Sequence, residues 1–200
     1  MQITELCEHK GDTWKIELGE ARYYINASIV AEFRLEKGQE LTREELAKIR
    51  SADVLRKAKN RALYLLGERD MCLAELTQKL TKTYGEEVAE DAAEYVRQLG
   101  YINDEKYAGK LAEYLIKRKK FGKRRARQEM LRRGLERELA EEALARSPDE
   151  DVSGERLERI ERKYANKLGD YKERQKVIAA LARRGFGFDE IKQAIEQVSV

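Results

Sequence analysis

With 200 residues, 40% of them charged, one Pro, four Phe and one Trp, the chain is unsuited to an aromatic-rich sandwich or barrel and points to mainly helical structure on small cores. Its net charge of +3 excludes a uniformly basic coat. No apolar run reaches bilayer-spanning length, and the opening MQITELCEHK lacks the basic and apolar regions of a signal peptide, so a cytoplasmic protein with no membrane partner is expected. Cys7 and Cys72 are too few and too scattered for a disulfide framework, in keeping with a reducing compartment.

Residues 2–26 read as strands. Trp14, Ile16 and Leu18 alternate with Thr13, Lys15 and Glu17 between the turns Lys10-Gly11-Asp12 and Gly19-Glu20, and Arg22 to Asn26 supplies a third strand. Ser28 is expected to cap a short helix carrying Ile29, Val30 and Phe33. Thr42-x-x-Glu45 has capping-box spacing, so a further helix starts at Arg43 and carries Leu46 and Ile49. Cys7-x-His9 would give two metal ligands on a strand, but nothing nearby completes a site.

From Ser51 onward the pattern is helical and repetitive. Gly85, Gly134 and Gly185 are 49 and 51 residues apart, and each follows an amphipathic helix, as a helix-stopping glycine does. The helices before these glycines carry Leu73, Leu76 and Leu80; Ala126, Met130 and Leu131; and Val177, Ile178 and Leu181. The helices after them carry Val88, Ala92, Tyr95, Val96 and Leu99; Leu139, Ala143 and Leu144; and Ile191, Ala194, Ile195 and Val198. The opening helices of the three sets carry Ala58, Ala62, Leu65 and Leu66; Tyr107, Leu111, Tyr114 and Leu115; and Leu157, Ile160, Tyr164 and Leu168. The expected fold is therefore mainly α: three tandem three-helix repeats in an elongated, curved arrangement, with a small β-rich segment at the N-terminus.

The expected domains are 1–50, 51–102, 103–147 and 148–200, with a hinge at Pro148 in the polar run Ser147 to Asp151. Small successive cores imply an extended monomer. Small-angle scattering should give an extended profile, and a compact globular one would contradict it.

The charge is concentrated. Lys117 to Arg133 holds ten Lys or Arg against one acid, Glu129, a local balance of +9, so the rest of the chain sums to −6. Asn103 caps the preceding helix with Asp104 and Glu105 in its first turn, and Gly122 separates it from a helix that begins near Lys123. On that helix Ala126 and Met130 share the inner face, and Arg124, Arg125, Gln128 and Arg132 the opposite one. The candidate binding residues are Lys117, Arg118, Lys119, Lys120, Lys123, Arg124, Arg125, Gln128, Arg132 and Arg133.

No catalytic constellation accompanies them. The sequence has no GxSxG, Walker A or HExxH, and the GxG at Gly185 to Gly187 lies between helices instead of after a strand. A binding module without a cofactor is expected. Helix triplets with short turns resemble helix-turn-helix geometry, in which Arg124, Arg125 and Arg132 would suit a reading helix; the first set, nearly balanced in charge, lacks an equivalent.

Several motifs carry a family resemblance. Ala62-Leu63-x-Leu65-Leu66 leading to Ala74-Glu75-Leu76, the turn from Leu99 to Ala108, and Gly122 to Leu135 resemble the RecX family of recombinase regulators. Tyr24 to Ser28 followed by Leu35-x-Lys37 to Leu41 is similar to that family's leading segment. The chain departs from the family pattern at Ala126, Met130 and Cys72, where Ile, Leu and Ser are commoner.

The resemblance implies three tandem three-helix repeats, no catalysis, and a partner: the RecA filament on DNA, whose helical groove the family occupies to modulate strand exchange, ATP hydrolysis and coprotease activity. The alternative is a helical-repeat protein that binds single- or double-stranded DNA directly through its basic central repeat. Direct DNA affinity should be modest and should fall steeply with salt, because a basic face with few aromatics favours phosphate contacts. Titrations at several salt concentrations check this, and a flat response would contradict it.

Overall fold

Residues 1–146 and 170–198 are described by a computed structural model. The expected hinge at Pro148 and the first helix of the third set, with Leu157, Ile160, Tyr164 and Leu168, lie outside them, as do the side chains of Ala194 and Val198. The described residues fall into two units, Met1–Arg69 with Leu76–Tyr101, and Asp70–Glu75 with Ile102–Val200.

In the first unit, β1 (Ile3–Lys10), β2 (Thr13–Leu18) and β3 (Ala21–Asn26) form an antiparallel sheet in the order β1-β2-β3. The alternation in β2 buries Ile16 and Leu18, with Trp14 packed at the edge of the same core. Such a sheet needs a cover. Helix α1 (Ala27–Glu32) and the start of α2 (Arg43–Glu68) supply it through Ile29, Val30, Leu46 and Ile49. The cap of α1 is Asn26, not Ser28: its carboxamide oxygen accepts from the Ser28 N–H at 2.9 Å, because β3 ends one residue before α1 begins. The Cys7 thiol donates to Glu5 at 3.4 Å, and the His9 imidazole lies 4.9 Å from the Tyr24 ring.

The capping box at Thr42 and Glu45 forms. The helix it starts does not stop near residue 50. Nothing in Ile49-Arg50-Ser51-Ala52 breaks a helix, so α2 runs for 26 residues and serves both the sheet and the first helix set. A buried carboxylate ties the two roles together, since Asp53 accepts from the Asn26 N–H at 3.2 Å and from Lys57 at 2.6 Å. The same helix packs on α4 (Glu86–Gln98), and α3 (Leu73–Tyr84) adds Leu76 and Leu80 to the buried set. The inner face of α4 is Ala89, Ala92, Ala93 and Val96, whereas Tyr95 and Leu99, expected inside, are exposed. Tyr95 holds the Lys59 ammonium 4.1 Å from its ring centre.

The second unit contains α5 (Asp104–Glu113), α6 (Lys123–Arg132), α7 (Arg137–Arg146), α8 (Tyr171–Arg183) and α9 (Phe188–Val198). Asn103 caps α5 as expected. A π-helical turn, Tyr114–Arg118, continues it, with Lys119 N–H donating to the Tyr114 carbonyl. The wider turn shifts the register, so Leu115 and Ile116 both face the core and Tyr114, expected inside, turns out beneath the Lys119 ammonium. Tyr107, Leu111, Leu115, Ala126, Met130, Ala140 and Leu144 share one core. Val177, Leu181, Ile191 and Ile195 share another.

Candidate protein and nucleic-acid interface

Helix α6 sits over Ala126 and Met130, both without solvent exposure, and displays Arg124, Arg125, Gln128 and Arg132 outward. The side chains of the basic run nevertheless do different things. Lys117 pairs with Glu113 at 2.8 Å and Arg127 with Glu141 at 3.1 Å. Arg132 pairs with Glu129 at 2.9 Å, and this hydrogen bond, helped by Arg133, holds the Glu129 carboxyl below the usual carboxylate range. Lys119 covers Tyr114. Lys120 closes the π-helical segment at φ 55.

Arg133 is structural. It is half-buried, donates to the Tyr107 hydroxyl at 3.1 Å and lies 3.4 Å from Glu129, while Tyr107 reaches Glu75 at 3.3 Å. Burial pushes the Tyr107 phenol up, and the bond from Arg133 counters this. Arg118 and Arg124 are exposed and make no ion pair with a described residue. An open cleft of about 420 Å³ lies between α6 and α7, walled by Lys123, Arg124 and Arg127 with Leu144 and Ala145 beside Glu141.

Arg125 has the least expected role. Its guanidinium lies 4.4 Å from the Phe121 ring centre and donates to the Arg183 carbonyl at 2.7 Å, while Gly122 N–H donates to the Arg184 carbonyl at 2.9 Å. The C-terminus of α8 is thus seated on the N-terminus of α6. One set earlier the joint recurs: the Cys72 thiol donates to the Arg133 carbonyl at 3.0 Å, seating the C-terminus of α6 on the N-terminus of α3. Each joint brings the negative end of one helix dipole to the positive end of another. Cys72 is fully buried there, which pushes its thiol up.

Glycine makes the joints possible. Gly134 and Gly185 have φ of 90 and 87, and a Cβ on Gly134 would lie 2.7 Å from Ala74 Cβ. A Cβ on Gly185 would strike Arg125, and one on Gly122 would strike the Gly185 carbonyl. Gly185→Ala is therefore expected to destabilise by about 2–3 kcal/mol from overpacking and backbone strain. Gly109→Ala, on α5 with nothing within 4 Å, should be neutral or slightly stabilising. Urea unfolding of the two variants checks this, and equal midpoints would refute the joint.

The comparisons with known proteins agree with this arrangement. Family models of the second and third three-helix domains of RecX match residues 103–144 and 157–195. The regulatory protein RecX of Trichlorobacter lovleyi is 35% identical over 144 residues, covering 68% of this chain and 92% of that protein. The chain belongs to the RecX family. The RecX protein of Clostridioides difficile is 29% identical over 182 residues, covering 87% of this chain and 83% of its relative. Two crystal structures share the RecX fold: one of a regulatory protein RecX, with a TM-score of 0.72 at 24% identity over 98% of both chains, and one of RecX from Lactobacillus salivarius, with a TM-score of 0.61 at 22% identity over 74% of this chain and 97% of that one. Among the described residues of this RecX-family chain, no helix is long and apolar enough to cross a membrane.

Proposed function

We propose that this chain is a cytoplasmic, monomeric and non-catalytic regulator that lies along the RecA–DNA filament, in its helical groove, and inhibits strand exchange, ATP hydrolysis and coprotease activity. Membership of a family of regulatory proteins supports regulation. The observation that carries the choice of surface is the pair of exposed cations Arg118 and Arg124, with Arg124 on the rim of the α6–α7 cleft. An acidic groove or a phosphate backbone is the complementary partner. Arg125 and Arg133, committed to the joint and to the Tyr107 network, position this surface instead of forming it.

A pulldown with RecA, with and without DNA and nucleotide, tests the reading. Retention that requires the assembled filament supports it. Retention by RecA that ignores DNA and nucleotide, with RecA-independent DNA binding that Arg118→Glu and Arg124→Glu abolish, would overturn it in favour of direct DNA binding through α6, and turnover of ATP or DNA by the purified chain would overturn the absence of catalysis.

A further inference from the structure

Residues 51–102 are nearly neutral in sum, but the structure separates the two signs onto different helices. Between Lys48 and Tyr64, α2 carries six bases and one acid, and that acid, Asp53, is buried against Asn26 and Lys57. Helix α4 carries five acids and one base. On α2 the residues Arg43, Arg50, Val54, Lys57, Arg61 and Tyr64 recur at i, i+7, i+11, i+14, i+18 and i+21, so they form one stripe, and all six are exposed. The stripe is about 32 Å long at 1.5 Å per residue. No acid lies on it.

Lys57 is committed to Asp53, but Arg43, Arg50 and Arg61 make no ion pair with a described residue, and three such cations fit a polyanion. Tyr64 selects its form: the ring is 57% exposed and has the Arg61 guanidinium 5.0 Å from its centre, a flat surface beside a cation. Such a pair suits an unpaired base and its phosphate, whereas a duplex keeps its bases stacked inside. We propose that the solvent stripe of α2 binds a single-stranded nucleic acid, with phosphates along Arg43, Arg50 and Arg61 and a base stacked on Tyr64. The stripe belongs to a different helix from α6, and its binding needs no filament.

The test uses the full chain and a labelled oligothymidylate of about 20 nucleotides, long enough to cover a single-strand site, without RecA. Arg43→Glu with Arg61→Glu should weaken binding at least roughly tenfold at low salt, because phosphate contacts are lost and reversed. Lys192→Glu, exposed on α9 and part of neither basic surface, should leave it within about twofold. Tyr64→Trp should show emission that the oligonucleotide quenches to saturation and that salt restores, while a duplex of the same length leaves it unquenched. Wild-type affinity in the Arg43→Glu, Arg61→Glu variant would overturn the proposal. So would an unquenched Tyr64→Trp, which reads the surface without depending on a charge change. Failure here leaves the filament reading standing, since that reading is decided by the RecA pulldown alone.

Discussion

Ala126→Asp is expected to unfold the second helix set. Ala126 has no solvent exposure and lies in the core with Tyr107, Leu111, Leu115, Met130 and Leu144. An aspartate there brings a larger side chain into a closed space and a carboxylate with no partner, a combination that costs about 3–5 kcal/mol. That is a large fraction of the roughly 5–15 kcal/mol by which a domain is stable. The loss spreads, because α6 holds a joint at each end, to α3 through Cys72 and to α8 through Arg125. Thermal unfolding followed by circular dichroism should show a large loss of helix or a much lower midpoint. Gln128→Asp, exposed on the same helix, should stay within about 0.5 kcal/mol of wild type. Equal behaviour of the two variants would mean that α6 does not pack on its Ala126–Met130 face.

Local chemistry was legible in the sequence. The capping box at Thr42, the cap at Asn103, the glycine stops at Gly85, Gly134 and Gly185, and the inner pair Ala126 and Met130 each follow from residues within a turn of one another. What was not legible depends on residues far away or on the loss of a boundary. Arg125 meets the Arg183 carbonyl 58 positions on, and the Tyr107–Arg133 bond spans 26, so no local pattern distinguishes them from solvated bases. The π-helical turn that expels Tyr114 changes the helical period within a single turn, which a fixed period cannot follow. The cationic stripe of α2 was hidden by division: the helix was split near residue 50, and its bases were added to the acids of α4.

Those distant contacts decide which charges can be reversed to probe function alone. Reversing Arg124, Arg125 and Arg132 together would confuse two effects, because Arg125→Glu removes the bond to the Arg183 carbonyl and sets a carboxylate against the negative end of α8, and Arg132→Glu sets a like charge beside Glu129. Arg118→Glu with Arg124→Glu avoids both. Neither residue is paired with a described acid, and both are exposed, so the double variant should keep a native spectrum and lose at most about 1 kcal/mol. On the filament the same change exchanges +2 for −2, and like charges placed against phosphates or an acidic groove cost several kcal/mol, about a hundredfold or more in affinity. The variant should fail to inhibit RecA-driven ATP hydrolysis and strand exchange at concentrations where wild type is complete, with the deficit growing at low salt, where screening is weakest. Arg125→Glu should instead lower the unfolding midpoint as well as the inhibition. Full inhibition by the Arg118→Glu, Arg124→Glu variant would leave α6 as a solvated face and move the filament contact to another helix set.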